Sequence, residues 1–193
     1  MSLGILLIVF LALLVIYTWS LYNQFVTSKT RIKASVQEIG NQLKRQAQLI
    51  PNIISMAKGY LKHEKEIFAQ LTEARKQVLK VLSSADAEKL MAASEQMQKA
   101  LSPIHAVFES TPQLQSAGPW MKAMDELRDT ADKLMYARRT LIDLSADYNV
   151  KVATFPSKLV AQLFHFEPEA GLKTPAEGAH LEVSETETSN PKI

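Results

Sequence analysis

His63 and Glu64 are the residues whose types and spacing come nearest to a catalytic motif. They match the first two positions of a His-Glu-x-x-His zinc site, in which two histidines four residues apart share one helix face. The second histidine is missing, because position 67 is Ile. The remaining histidines are scattered along the chain and form no ligand set: His105, His165 and His180. We therefore predict no metal here and assign the pair to a helix surface or an interhelix hydrogen bond.

No other pattern in the chain predicts chemistry. It contains no Gly-x-Ser-x-Gly turn for a serine nucleophile, and its six glycines are isolated, so no glycine-rich loop cradles a phosphate. The absence of cysteine excludes disulfides, thiolate metal ligands and a cysteine nucleophile. We predict a protein that is not an enzyme and has no catalytic residue and no cofactor. A hydrolase with a site between helices is the alternative, and unplaced polar residues are its only support.

An uncharged apolar segment occupies the start of the chain. The nineteen residues from Leu3 to Leu21 include only one threonine and one serine as polar members. As a helix they extend about 28 Å, close to the roughly 30 Å hydrocarbon core of a bilayer. Aromatic rings favour the headgroup level, and three collect at its C-terminal end: Tyr17, Trp19 and Tyr22. We predict a transmembrane anchor over residues 1–22, represented by Leu3, Leu7, Phe10, Leu14, Tyr17 and Trp19.

The flanking residues decide between an anchor and other kinds of apolar segment. A cleaved signal peptide is disfavoured, because no Lys or Arg precedes the segment and residues 15–19 offer no small-residue cleavage site. A buried core helix is disfavoured by the first 28 residues, which carry no charged side chain. Positive charges follow the segment: Lys29, Arg31, Lys33, Lys44 and Arg45. The positive-inside rule then predicts a protein of the cytoplasmic (inner) membrane with its N-terminus outside and its bulk in the cytoplasm.

The residues after the anchor show the periodicity of helices. The anchor is predicted to continue as a helix to Pro51, where a kink or restart is expected and Asn52 caps the restarted helix. A second helix then runs to about Leu82, and the turn at residues 83–86 precedes a third helix that Pro103 notches. Residues 111–119 contain two Pro and one Gly and are predicted to form a loop.

The fourth helix has the most regular pattern. Its stripe alternates steps of four and three over Trp120, Met124, Leu127, Ala131, Leu134, Arg138, Leu141, Ser145, Tyr148, Val152 and Phe155. Such spacing predicts a long helix with coiled-coil-like packing. Arg138 and Ser145 are polar members, which either fix the helix register or lie where the bundle opens to a partner. Phe155 and Pro156 end the helix.

The end of the chain divides into a short amphipathic segment and a polar tail. Ser157 is expected to cap the segment, whose apolar residues are Leu159, Val160, Leu163, Phe164 and Phe166. It either closes the end of the bundle or lies on the membrane surface. Closure of the bundle end is favoured, because helices on a membrane surface are usually rich in Lys and Arg and this segment has only Lys158. From Glu167 onward six Glu and two Lys give a net charge of −4, and we predict a disordered acidic tail.

Together these patterns predict an all-α protein in three parts. The transmembrane helix, residues 1–22, continues into a long antiparallel bundle of about four helices, residues 23–166, followed by the tail, residues 167–193. The formal net charge is +2, so the residues before the tail carry +6. This mild excess is compatible with an anionic membrane surface and does not suggest nucleic-acid binding.

Two stretches of the chain resemble the LemA family of bacterial membrane-associated proteins. They are residues 41–66, with Leu-Ile-Pro-Asn, and residues 137–161, with Tyr-Asn followed by Phe-Pro-Ser. The resemblance implies an anchor with an outside N-terminus, an antiparallel bundle and no established enzymatic activity. It also implies association with other membrane proteins, including TPM-domain proteins and a membrane zinc protease. Residues with a family-motif or interaction role are Pro51, Asn52, His63, Glu64, Arg138, Tyr148, Asn149, Phe155 and Pro156.

The predicted function is that of a non-catalytic scaffold or adaptor tethered to the bilayer. A rigid helical rod rooted in lipid presents a face to other membrane proteins or self-associates into a homo-oligomer. The alternative is a membrane-shaping or envelope-stress protein that acts through oligomerisation and through residues 159–166. The sequence does not separate these two functions.

Overall fold

Five helices make up the part of the chain that the computed structural model describes, residues 3–58, 65–84, 86–111 and 118–169. Within those residues the chain forms helices and connecting turns and no strand, which confirms the predicted all-α bundle with its long N-terminal helix. The helices are α1 Leu3–Ala57, α2 Lys65–Val81, α3 Ala87–Ser110, α4 Gly118–Ala153 and α5 Ser157–Leu163.

The apolar segment and the first helix of the bundle form one uninterrupted helix, α1. Its 55 residues make a rod about 82 Å long at 1.5 Å per residue. None of its described residues before Phe25 is buried, whereas buried positions follow at Phe25 and Ile32 and then recur about every three or four residues. At that point α1 changes from a fully exposed apolar helix to one that is buried along a single face. The predicted continuation of the apolar helix into the bundle is confirmed.

The second long helix, α4, runs antiparallel to α1. Lys151 at its C-terminal end contacts Ser28, and Asp129 nearer its N-terminal end contacts Arg45, at 3.4 and 3.7 Å. Its buried residues are Trp120, Met124, Leu127, Thr130, Leu134, Ala137, Leu141, Ser145 and Tyr148. Most of the predicted stripe is therefore confirmed, and α4 lies along the full length of the bundle.

The predicted stripe is wrong at three of its residues. Ala131 is only half-buried, and Thr130 before it is buried in its place. Arg138 is only half-buried, and Ala137 before it faces α1 instead. A small side chain allows the two helices to approach, whereas a buried guanidinium would have to lose its water, so Arg138 extends toward solvent. Phe155 is 79 % exposed, because α4 ends at Ala153 and the chain turns away from the core.

Helices α2 and α3 form a hairpin that covers the half of α1 farther from the apolar segment. Leu82 and Leu90, on either side of the turn, lie 3.8 and 4.0 Å from the position that a β-carbon would take on Gly40. The turn therefore sits about 27 Å along α1 from Tyr22. Asp86 is the N-cap of α3 and accepts a hydrogen bond from the backbone N–H of Lys89 at 3.2 Å. The predicted turn is found here, although Ala85 lies outside the described residues.

The predicted helix restart at Pro51 is wrong, and a distant side chain explains why. A proline inside a helix leaves the carbonyl four residues earlier without its usual N–H donor. That carbonyl belongs to Ala47, and Arg75 of α2 donates its Nε–H to it at 3.1 Å. Helix α1 therefore continues to Ala57. Asn52 lies exposed in the helix interior and caps nothing.

Two further prolines of the predicted breaks, Pro103 and Pro119, also lie inside helices. α3 passes through Pro103 and ends at Ser110, so the expected notch does not end the helix. α4 begins at Gly118, which places Pro119 in its first turn, where the missing N–H would have no partner in any case. The last two residues of the predicted loop, 118 and 119, therefore belong to α4. Residues 112–117 of that loop lie outside the described residues.

The short helix α5 packs against the end of the bundle nearest the apolar segment. Val160 and Ala161 are buried, which supports the predicted closure of the bundle end. The predicted cap is wrong, because Pro156 occupies the N-cap position and Ser157 is inside the helix. The Ser157 hydroxyl donates instead to the carbonyl oxygen of Lys151 at 2.7 Å, and it lies 2.9 Å from that of Thr154. The hydroxyl thereby supplies a hydrogen-bond donor to carbonyl groups at the C-terminal end of α4 and does not cap the N–H groups at the start of α5.

Candidate functional site

The predicted anchor residues lie on the part of α1 in which no described residue is buried. Their side chains are between 49 % and 84 % exposed, and no residue of the most apolar window is buried. Within the described residues, α1 is the one helix that is long and apolar enough to cross a membrane. The anchor residues are Leu3, Leu7, Phe10, Leu14, Tyr17 and Trp19.

Five aromatic rings gather where α1 leaves its apolar segment. Phe25 is the centre: it stacks on Phe166 with ring centroids 4.8 Å apart, and Tyr148 meets it edge to face at 5.9 Å. Tyr22 meets Phe164 edge to face at 4.9 Å. These offset and edge-on arrangements are the ones that aromatic pairs prefer. We call these five residues the basal aromatic cluster, and it ties α1, α4 and the chain after α5 together.

Asn149 fastens the last described residue of the chain to α4. Its side-chain N–H donates to the carbonyl of Glu169, and its carbonyl oxygen accepts from the Glu169 N–H, both at 2.9 Å. The amide thus pairs with the backbone through both of its polar atoms, as a neighbouring strand would. The Glu169 carboxylate in turn forms an ion pair with Lys29 of α1 at 3.0 Å. Asn149, a predicted family-motif residue, therefore connects α4 to α1 through Glu169.

The pKa values of Lys29 and Tyr148, at this end of the bundle, are shifted by their surroundings. The hydrogen bond to Glu169 raises the pKa of Lys29, with a smaller opposing effect from burial and further support from the negative charge of Glu169. Burial raises the pKa of Tyr148, against the nearby positive charge of Lys29. Lys29 therefore stays charged and Tyr148 stays neutral at physiological pH.

The Tyr148 ring is fully buried, and its hydroxyl makes no hydrogen bond to any residue that the structure describes. Tyr148 is thus buried, as its place on the predicted stripe indicates. Buried hydroxyls normally find a partner, and one left alone costs free energy. Tyr148 therefore contributes through its ring, by contact with Phe25, rather than through its hydroxyl.

Phe155 and Pro156 form the bend between α4 and α5. The peptide bond between them is cis, and Phe155 projects into solvent. The bend places α5 beside the start of the bundle, where Ser157 caps the carbonyls of α4. The two predicted motif residues therefore form the connection between α4 and α5.

An open basic cleft lies along α1 between the basal aromatic cluster and the α2–α3 turn. Its volume is about 790 Å³. Three lysines contribute to its lining, together with Glu169 at one end: Lys29, Lys33 and Lys44. Leu82 and Leu90 form its other end. The cleft exists because the α2–α3 hairpin stops at Gly40 and leaves this face of α1 uncovered.

The outer face of α4 exposes several large apolar side chains. They are Met121, Met135, Tyr136, Ile142 and Val150, with exposed fractions between 42 % and 74 %. Met121, Met135 and Ile142 are separated by multiples of seven residues and so lie on one line of the helix. Tyr136 lies beside this line and lines a shallow cleft with Ser35 and Glu38 of α1. We call these five residues the outer α4 face.

The structure separates the predicted motif residues into two groups. Tyr148, Asn149, Phe155 and Pro156 come together near the apolar segment. Pro51 and Asn52 lie about 39 Å farther along α1, measured from Phe25. Arg138 lies between the groups on α4, and His63 and Glu64 lie outside the described residues. No group of three or more His, Asp or Glu that could hold a metal ion occurs in the described part of the chain.

Two important residues were not predicted from the sequence. Arg75 satisfies the carbonyl that Pro51 frees, and Glu169 joins Lys29 to Asn149. Both act over long sequence separations, 28 residues for Arg75 and Ala47. A basic residue among the acidic and polar residues of an amphipathic helix gives no signal of such a contact. The charge pattern around Glu169 suggested a solvated tail, so its fixed position was not expected.

The fold and the site together define a membrane-associated helical protein. A long apolar segment without a buried residue continues into an all-α bundle, and the described residues contain no group of three or more side chains that could hold a metal ion. The comparison with family models then identifies the chain: the LemA family model matches residues 35–185, most of the chain. This protein belongs to the LemA family, and the resemblance seen in the sequence is confirmed.

A curated relative supports this assignment at greater distance. The chain is 24 % identical over 169 residues to magnetosome protein MamQ of Magnetospirillum gryphiswaldense. The match covers 76 % of this chain and 62 % of the relative, so the chain spans less than two thirds of that protein's length. Family membership and this relative both indicate membrane association. The division into anchor, bundle and tail stays a prediction.

Proposed function

We propose that this protein is a non-catalytic, membrane-anchored scaffold or adaptor of the bacterial cytoplasmic membrane. Its apolar segment crosses the bilayer once with the N-terminus outside, and its helical bundle stands in the cytoplasm as a rigid rod. The bundle presents the outer α4 face to other membrane proteins or to further copies of the chain. The observation that carries the proposal is one continuous helix, α1, whose first part is apolar and contains no buried residue and whose second part is packed.

The free energy of exposed apolar surface supports an anchor. Fourteen large apolar side chains between Leu3 and Trp19 are largely exposed. Since burying one such side chain is worth about 1.5–3 kcal/mol, transfer of this segment into lipid is worth roughly 20 kcal/mol or more. A segment of this length also satisfies all its backbone groups within the helix, as a membrane span must. Lys29, Arg31 and Lys33, which follow the segment, support an inside location for the bundle.

The composition of the outer α4 face supports a role in binding proteins. Tyr, Met and Arg are enriched at protein interfaces, and this face carries all three. Arg128 and Arg139 are exposed among its apolar residues. A straight helix about 54 Å long offers them along one side, which suits contact with another helix. Membership of the LemA family supports the same reading, and membrane proteins of the TPM-domain or zinc-protease kind are the partners we propose.

Two measurements test the proposal. Alkaline phosphatase or a fluorescent protein, fused to the C-terminus, reports on orientation: we expect a fluorescent but weakly phosphatase-active fusion, and strong phosphatase activity would overturn the cytoplasmic location. A photo-crosslinking amino acid placed at Met135 or Tyr136 reports on partners in native membranes. We expect discrete adducts from both positions and none from Lys99, an exposed position on α3. A monomeric protein in mild detergent with no adduct from either position would overturn the scaffold role.

A further inference from the structure

Helix α5 buries one apolar side and exposes another. Val160 and Ala161 face the bundle and are buried, whereas Leu159 and Leu163 are 58 % and 67 % exposed. Leu159 and Leu163 are four residues apart, so they lie on one line of the helix. Closure of the bundle therefore explains only half of the apolar residues in α5.

The residues next to α5 enlarge this exposed apolar surface. Phe155 before the helix is 79 % exposed, and Phe164 after it is 44 % exposed. Four large apolar side chains thus face outward within residues 155–164. Soluble surfaces rarely concentrate apolar side chains in this way, and such patches mark contact with a membrane or a partner.

The position of the patch distinguishes between these two kinds of contact. Leu163 and Phe164 line a groove of about 430 Å³ together with residues of the apolar part of α1: Leu14, Val15, Thr18, Trp19 and Tyr22. The groove thus joins α5 directly to the segment that the proposed function places in lipid. Trp19 and Tyr22 are residues of the type that lies at the headgroup level. Leu163 therefore lies at that level or slightly deeper.

The charges around the patch suit the same location. Lys158 is exposed beside Leu159, and Lys151 and Lys29 lie on the neighbouring turns of α4 and α1. Glu169 is paired with Lys29, which leaves Glu167 as the exposed carboxylate among the described residues after α5, residues 164–169. Lysine stems can extend along apolar surface while their ammonium groups reach lipid phosphates.

We propose that α5 and its flanking phenylalanines insert into the boundary between headgroups and acyl chains of the cytoplasmic leaflet. The ligand is the lipid itself, held in the groove between α5 and residues 14–22. The inference rests on the proposed anchor, and it adds a second point of membrane contact beside the span. Two contacts on one leaflet fix the rotation of the bundle about α1 as well as its depth.

Fluorescence quenching in vesicles tests this insertion, and the absence of cysteine makes single labels possible. Full-length Leu163→Cys and Leu159→Cys variants are labelled with an environment-sensitive dye and placed in phosphatidylcholine–phosphatidylglycerol vesicles. Leu7→Cys serves as the label inside the span, and Met135→Cys as the label on the bundle. We expect the dyes at 163 and 159 to be quenched by a nitroxide near the lipid headgroup and to be several-fold less quenched by aqueous iodide than the dye at 135. The dye at 7 should be quenched by a lipid that carries its nitroxide on the acyl chain.

Each outcome decides the inference. If the dye at 163 is as accessible to iodide as the dye at 135, while the dye at 7 is quenched by lipid, the inserted helix is refuted and the anchor stands. Protection from iodide without quenching by lipid would mean that protein covers α5, and this also refutes the inference. If the dye at 7 is not quenched by lipid, the anchor fails and the inserted helix fails with it.

Discussion

The contact between Arg75 and Ala47 gives the sharpest test of how α1 passes through Pro51. Pro51 offers no N–H to the Ala47 carbonyl, and Ala47 is fully buried, so water cannot replace the missing donor. The Nε–H of Arg75 takes this place at 3.1 Å. A hydrogen bond from a charged donor contributes about 1.5–3 kcal/mol, and a buried carbonyl left alone costs a similar amount. Arg75→Ala is therefore expected to lower the free energy of unfolding by about 2 kcal/mol.

A double-mutant cycle separates this hydrogen bond from the packing of the arginine stem. In a Pro51→Ala background residue 51 regains its N–H, which donates to Ala47 within the helix. Arg75→Ala should then cost less than about 1 kcal/mol, and the coupling free energy between the two positions should be about 1–2 kcal/mol. Urea unfolding of the full-length chain in mild detergent, followed by circular dichroism at the helical band, measures each corner of the cycle.

A neighbouring residue provides the control for the cycle. Lys76 is exposed on the other side of α2, and Lys76→Ala should change the unfolding free energy by less than about 0.5 kcal/mol in either background. A coupling between positions 51 and 75 that is no larger than this would refute the role given to Arg75. The continuity of α1 would then need another cause.

Three further results are expected. Tyr148→Phe should leave the melting temperature unchanged or slightly raised, because the buried hydroxyl has no partner among the described residues; a loss of more than about 1 kcal/mol would show a hidden hydrogen bond. Asn149→Ala should remove two hydrogen bonds worth about 1 kcal/mol each and so speed hydrogen exchange at the Glu169 amide roughly 5–30-fold. Unchanged protection of that amide would contradict the pairing of Asn149 with the Glu169 backbone. Burial lowers the pKa of His105 below 6.5, so the unfolded chain binds more protons and stability should fall as pH falls through 6.5. His105→Gln should flatten this part of the pH–stability curve, with exposed His165→Gln as the control, and an unchanged slope would contradict the assignment.

The sequence was sufficient for the features that depend on local periodicity. The apolar segment before Lys29 and the seven-residue spacing of Leu127, Leu134 and Leu141 both follow from which residues favour lipid or a core. These patterns predict a helix and its buried face without reference to any other element. The all-α fold and the buried face of α4 were therefore predictable.

The features that could not be predicted depend on contacts between distant elements. Proline normally ends a helix, and only the position of Arg75 on α2 shows why Pro51 does not. Ser157 has the type of an N-cap, but the bend at Pro156 brings its hydroxyl to the carbonyls of α4 first. Likewise Asn149 gave no sign of its pairing with Glu169, since an amide on a helix surface looks the same in sequence whether or not a backbone reaches it.

The unbroken course of α1 makes the molecule a lever. About 54 Å of the helix extends beyond Tyr22, and no turn separates that length from the apolar segment. A helix that tilts by about 10° to match a thinner bilayer would carry its far end sideways by about 9 Å. The α2–α3 hairpin, which is attached near that end, would move with it. The thickness of the local bilayer would thereby set the angle of α1 and the height of the α2–α3 hairpin above the membrane.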